Sequence, residues 1–300
     1  LYKATKEIGG ISTMWNFSYE ENPFYALNFI TDIYFSQSDY NVQAAISNKS
    51  NMHTSVLVGY PGDYRFKYFK SKIGPNEKII SFFDEDSSDD GKWYHGNEQV
   101  LEDYSFLFNK IIEDKDLFIY FKPKKLNLLK TLKPINDLLK KAIKTNRMVI
   151  ITSENNSYPP SYVSLKSNLA IHNNLYAATA GVESILSGTT TFYLDKANWK
   201  LSKLYDYGEN KFIYNNWKDL WKNIDEYFNL KKNYSSIHSK DLLNYLDPYR
   251  DGFANLRMAD YLNSLKNGLD QNMSLDDNIN MANSEFKKKW KSAIIYNHRG

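Results

Sequence analysis

The chain has 300 residues, 42% of them hydrophobic and 16% aromatic, which is enough apolar surface for one large core or two modest ones and excludes a disordered chain. Its 38 basic and 35 acidic side chains nearly cancel, leaving a net charge of +3, so no surface-wide groove for nucleic acid is expected. Cysteine is absent, which excludes a disulfide framework and thiolate metal ligands and is compatible with a reducing cytoplasm.

No run of about 18 apolar residues and no charged-then-apolar amino terminus occurs, so neither a membrane span nor an export signal is expected. The first residue is Leu1 rather than methionine, and residues preceding it are expected. Strand-like runs at 11–15 and 33–35 read as the end of an α/β unit over residues 1–70. Tyr60-Pro61-Gly62-Asp63 is the linker candidate after it.

From Asn76 onward, short apolar runs alternate with segments of helical period. The runs 78–83, 117–121, 148–151, 169–171, 190–194 and 212–214 read as strands. Val100, Leu101, Tyr104, Leu107, Phe108, Ile111 and Ile112 form one apolar stripe of a helix between the first two. Leu128, Leu132, Ile135, Leu138, Leu139 and Ile143 mark the next helix, with Pro134 at its start or at a kink. A short helix over 182–187 and a closing helix carrying Trp217, Leu220, Trp221, Ile224 and Phe228 complete a doubly wound domain over residues 71–234. The ligand crevice of such a domain lies beyond the carboxyl ends of its strands. Residues 235–300 read as helices packing back across the domains, with Ala254, Met258, Tyr261, Leu262 and Leu265 as one stripe and Ser274 with Asp277 starting the last helix.

The sharpest motif is the run from Ala178 to Gly188, a loop feeding a short helix. Thr179 can cap that helix, Gly181 lets the backbone approach a ligand, and amides at such an end attract phosphate. A small capping residue also begins an ordinary helix of a parallel sheet, so spacing alone decides nothing here. The stretch 167–195, with Gly-Val-Glu-Ser, Ser-Gly-Thr and Tyr-Leu-Asp, resembles the donor-binding region of GT-B glycosyltransferases that build bacterial surface polysaccharides. The resemblance implies that Thr179, Ala180 and Gly181 hold the donor phosphate and that Glu183 anchors the ribose or the helix itself.

The resemblance extends to the strand ending in Lys122-Pro123-Lys124, where Lys122 would supply a mobile cation to phosphate. It also covers Asp247-Pro248-Tyr249-Arg250-Asp251-Gly252, similar to a signature near the carboxyl end of transferases that add Kdo and related acidic sugars. It therefore implies an α/β, GT-B-like architecture: a nucleotide-binding Rossmann domain, part of a second α/β domain and a helical carboxyl-terminal tail.

The acidic run from Asp84 to Asp90 follows the first strand of the domain and has three readings. The resemblance to Kdo-type transferases places Asp84, or next Glu85, at the anomeric carbon as nucleophile or general base. Asp84-Glu85-Asp86 also fits the metal-holding Asp-x-Asp of unrelated transferases, and Asp86, Ser88, Asp90 and Gly91 resemble a calcium loop whose twelfth position is Asn97. The five histidines are too widely spaced for a metal cluster; His172 ends a strand at the crevice and either touches the donor or serves the core, and His95 is a weaker candidate. Lys287, Lys288, Lys289 and Lys291 around Trp290 fit either an anionic membrane surface or a solvated helix face.

These readings converge on a metal-independent glycosyltransferase with no cofactor, acting in the cytoplasm or at the inner face of the membrane. Its expected partners are a nucleotide-sugar donor, a glycan or lipid-linked glycan acceptor and a peripheral membrane contact, without nucleic acid. The Kdo resemblance favours a CMP-activated ulosonic acid such as CMP-Kdo. An NDP-hexose transferase, a teichoic-acid-type transferase, a nucleotide-sugar epimerase and a non-catalytic nucleotide-binding module of a polysaccharide assembly complex are the alternatives.

Overall fold

The computed structural model describes residues 1–15, 28–69, 77–85, 87, 96–125, 129, 133–152, 158–176 and 178–298. They fall into two compact units, residues 1–65 with 243–300 and residues 66–242. The fold is α/β, with a mostly parallel sheet in each unit. Of the expected helical stripe 128–143, Leu128 and Leu132 lie outside the described residues, as do Asn76, His95 and the acidic-run residues Asp86 and 88–91.

The first unit begins with helix α1 (Tyr2–Glu7), strand β1 (Thr13–Trp15), strand β2 (Ile30–Ser36), helix α2 (Asp39–Ser47) and strand β3 (Asn51–Leu57). Strands β1, β2 and β3 are parallel neighbours, and Ile33, Phe35 and Val56 turn into one core while Tyr34 and Leu57 turn into another. That division follows from the alternation of side chains along a strand whose two faces are both covered.

The second unit is built on six parallel strands: β4 (Lys78–Phe83), β5 (Leu117–Lys122), β6 (Met148–Ile150), β7 (Leu169–His172), β8 (Thr190–Leu194) and β9 (Ile213–Tyr214). Between them run helices α3 (Asn97–Glu113), α4 (Asn136–Lys144) and α5 (Thr179–Leu186), and α6 (Trp217–Leu230) closes the unit. Pro134 sits in a 3-10 turn just ahead of α4, so it starts the helix rather than kinking it. On α3, Val100, Tyr104, Leu107, Phe108 and Ile111 are all fully buried, each burial contributing about 1.5–3 kcal/mol.

The sheet order is β6-β5-β4-β7-β8-β9. Counted along the chain this is the 3-2-1-4-5-6 order of the doubly wound Rossmann fold, whose direction of winding reverses between its first and fourth strands. Here those strands are β4 and β7. Their pairing sets Phe83 opposite His172, while on the other side of β4 Phe83 lies opposite Lys122.

The carboxyl-terminal segment brings helices α7 (Ala254–Asp270) and α8 (Leu275–Lys289) and strand β10 (Ile295–Asn297). It completes the first unit: β10 pairs antiparallel with β3, and Tyr261, Leu265, Ile279, Ala282 and Phe286 close the core under β2 and β3. The Ser274 hydroxyl accepts from the Asp277 amide at 3.2 Å and caps α8 as its sequence indicates. Trp290 turns inward, its indole donating to Asp260 at 3.0 Å beneath the Arg257 guanidinium, and Lys287, Lys288 and Lys291 are exposed. Among the described residues no helix is long and apolar enough to cross a membrane.

The Asp-Pro-Tyr-Arg-Asp-Gly segment is a clasp within this unit. Asp247 accepts from the amides of Tyr60 and Tyr249, each at 2.8 Å, and Arg250 at 3.2 Å. Its carboxylate lies 3.0 Å from where a side chain on Gly59 would begin, and Gly59 holds φ +89°, so only glycine suits that turn. The expected linker at Tyr60-Pro61-Gly62 is thereby a buried, bonded loop. Arg257, 2% exposed, pairs with Asp251, donates to the Val58 carbonyl at 3.2 Å and lies 3.9 Å from the Tyr249 ring. Arg257→Ala should cost this unit about 2–5 kcal/mol, since it opens a cavity and leaves its partners unmet; urea unfolding followed by tryptophan fluorescence reads the loss.

Candidate functional site

The reversal between β4 and β7 concentrates the loops that follow β4, β5 and β7 at one edge of the second sheet. Asp84 is the first residue beyond β4 and is only 4% exposed. Its carboxylate accepts from the Tyr104 hydroxyl on α3 and from the Lys124 amide at 2.5 Å. Burial pushes its pKa up to about 7 despite those two donors, and burial beside Asp84 drives the Tyr104 phenol far upward, so Tyr104 remains a donor. Glu85 forms an ion pair with the Lys124 ammonium. The two loops leaving β4 and β5 are therefore fastened together by Asp84 and Glu85.

Lys122 is half-buried at the end of β5 and, among the described residues, makes no hydrogen bond or ion pair. Burial lowers its pKa, against the opposing pull of Glu183 and Asp84. Glu183, on the second turn of α5, is 3% exposed and accepts from the Ser161 amide at 2.9 Å, so it caps the one-turn helix Pro160–Ser164. The helix it anchors is this neighbour rather than α5 itself.

Helix α5 starts one turn earlier than its apolar pattern indicates. The capping position is Ala178, with no side-chain cap, so Thr179 is the first helical residue rather than the cap. The helical ladder includes the Val182 amide donating to Ala178 at 2.9 Å, and Thr179, Ala180 and Gly181 form the first turn before it. Thr179 and Ala180 are half-buried at this mouth. Gly181 is buried, and a side chain there would meet the Tyr193 hydroxyl at 2.4 Å and its ring at 2.5 Å. Its bareness admits Tyr193 from β8, not a ligand.

His172 also serves the core. It is fully buried, with its ring 5.8 Å from that of Tyr193, and offers no surface to a donor. The described member of the acidic run beyond Glu85, Ser87, donates to the Asn97 carboxamide at 2.8 Å at the start of α3. Among the described residues no three His, Cys, Asp or Glu side chains are grouped to hold a metal ion.

Sequence reasoning missed a second polar cluster beside the same edge. Asp103 is completely buried on α3 and accepts from the Trp217 indole at 2.7 Å and from the Asn173 side chain at 3.0 Å; the Lys196 ammonium lies 2.7 Å from it. Burial raises the pKa of Asp103, and these three donors oppose the rise. One carboxylate thus joins α3, the loop after β7, the loop after β8 and the start of α6. The signal in the sequence was an acid between Val100, Tyr104 and Leu107 on an apolar stripe, which points inward unless it breaks the helix face.

No family profile and no curated protein matches the sequence. Solved structures do share the fold. The wall teichoic acid polymerase TagF, solved with CDPG, aligns with 80% of the chain at 14% identity and a TM-score of 0.51, the alignment covering 58% of the polymerase. A structure of a putative UDP-N-acetylglucosamine 2-epimerase from Listeria monocytogenes aligns with 78% at 16% identity and 0.49, covering 60% of that chain. HepE from Anabaena, in complex with UDP and glucose, aligns with 78% at 13% identity and 0.48, covering 63%. The chain spans about three fifths of the length of each, and its α/β fold with parallel Rossmann-like sheets is GT-B-like.

The raised pKa of Asp84 makes a pH prediction. The folded state holds this proton to about pH 7 whereas an unfolded aspartate releases it near 3.8, so the associated stability is present below the unfolded pKa and lost as pH rises through 7. Asp84→Asn removes the titration, keeping one acceptor oxygen for the Lys124 amide and turning its NH2 toward the Tyr104 hydroxyl oxygen, which can accept. The variant should therefore gain on the wild type in unfolding free energy as pH rises from about 4 to about 8. Asp63, raised to about 6 in the other unit, titrates equally in both proteins and cancels. A difference that stays flat with pH would mean that the Asp84 carboxylate is solvated.

Proposed function

We propose that residues 66–242 bind the diphosphate of a nucleotide-activated donor at the carboxyl edge of β4, β5 and β7, and that the protein transfers a hexose or a polyol phosphate from it. The observation that carries this reading is Lys122, a half-buried cation beside the strand-order reversal, close to α5, and with no hydrogen bond or ion pair among the described residues. A diphosphate would meet the Lys122 ammonium and the amino-terminal end of α5, since phosphate is favoured where a helix start and a cation converge. Gly181 contributes its amide only, and His172 supports the edge from beneath.

Asp84 acts here as a positioning residue: its oxygens hold Tyr104 and the Lys124 amide, which fixes the loop carrying Lys122. Glu85, whose side chain is 15% exposed, is then the acid for the anomeric carbon. The CDPG bound by TagF favours a diphosphate donor of the NDP-hexose or teichoic-acid type over CMP-Kdo, the finer expectation from sequence.

A thermal-shift panel of UDP, CDP, GDP and CMP tests the reading. Stabilisation by one or more diphosphates is expected, about 2.7 kcal/mol at a hundredfold excess over Kd. Lys122→Ala should weaken that binding by roughly ten- to a hundredfold, the value of about 1.5–3 kcal/mol for a charge-assisted hydrogen bond. Glu85→Gln should keep the shift and lose transfer. A response to CMP alone restores the ulosonic-acid donor, and no response to any nucleotide overturns the proposal. Donor conversion without an acceptor identifies an epimerase, and binding without turnover, acceptor included, identifies a non-catalytic module.

A further inference from the structure

Away from the nucleotide edge, a groove of about 640 Å³ runs between α3 and α6. Its floor is aromatic: Phe106 stacks on Trp217 with ring centres 4.5 Å apart and meets Trp221 edge-on at 5.5 Å. Trp217 is itself held by the buried Asp103, so the floor rests on a bonded support. The Lys110 ammonium stands 5.5 Å from both the Phe106 and the Trp221 rings. Lys218, Lys222, Asp225 and Asn229 follow at helical spacing down one face of α6 and form the wall.

We infer that this groove binds an oligosaccharide, its sugar rings lying on the Trp221 and Phe106 floor and their hydroxyls meeting Lys218, Lys222, Asp225 and Asn229. A pyranose has apolar C–H faces and a rim of hydroxyls that both donate and accept, and the groove offers an aromatic surface with donors and acceptors alternating beside it. Its volume lies within the range of ligand sites. Anionic lipid and nucleic acid fit less well. Lys110, Lys218 and Lys222 share the groove with Asp225 and Glu226, so the charges nearly cancel and no concentrated cationic face is offered to a phosphate surface. The inference stands whether or not the carboxyl edge binds a nucleotide, because no residue is shared.

The test is isothermal titration of the full chain with maltohexaose and with N-acetylchitohexaose, alongside sedimentation with anionic phospholipid vesicles. At least one hexaose should bind, and Trp221→Ala should raise its Kd about tenfold or more. Trp221 is half-buried and its loss can disturb the helix pair, so the exposed Asp225→Ala is the second variant, expected to weaken the same binding at least about threefold with an unchanged melting temperature. No heat from either hexaose at millimolar concentration, or binding that both variants retain in full, overturns the proposal. Vesicle capture abolished by Trp221→Ala without hexaose binding also overturns it and makes the groove a membrane contact.

Discussion

The chemistry of the second unit depends on one constraint, the parallel pairing of β4 with β5 on one side and β7 on the other. Parallel strands need crossover connections, and right-handed crossovers from a sheet whose order reverses must leave on opposite faces. The loops after β4 and β7 consequently leave on opposite faces, from the level at which Phe83 lies between Lys122 on one side and His172 on the other. Three residues distant in sequence are brought level by register alone. One of them, Lys122, extends from that level with a charge, while His172 is absorbed beneath Tyr193.

Around that level, buried carboxylates act as fasteners. Asp84 joins the β4 and β5 loops, Asp103 joins four segments, and Asp195 accepts from the Trp199 amide and the Tyr205 hydroxyl, each at 2.5 Å. A buried carboxylate is costly unless donors surround it, and its value is geometric: loops so bonded present one conformation. The first unit uses the same device in Asp247, which fixes three amides of two segments far apart in the chain. The carboxyl-terminal acidic and basic motif, conspicuous in the sequence, is in this way structural first.

Much of the second unit was legible because its strands are apolar runs between helices with clear stripes. The run 78–83 is β4 and the run 190–194 is β8, and α3 buries the stripe read from Val100 to Ile111. Strand β3 was not legible. Its His53, Thr54 and Ser55 break the apolar pattern, yet Thr54 and Ser55 are fully buried, their hydroxyls bonded to Asn297 and His298 of the carboxyl-terminal segment. A local pattern cannot show a polar strand whose partners lie more than two hundred residues away.

The sequence by itself determined the fold class, the six-strand alternation, the edge of the sheet at which its loops gather and the lysine that ends β5. Those properties follow from local periodicity, from turn chemistry and from the rule that parallel strands open at their carboxyl ends. Only the tertiary structure decided that β10 completes the first sheet, that Gly181 makes room for Tyr193, that Glu183 caps a neighbouring helix and that Asp103 gathers four segments. Each of these is set by contact across the chain, where the same residue can serve a ligand or a core and only its neighbours in space distinguish the two.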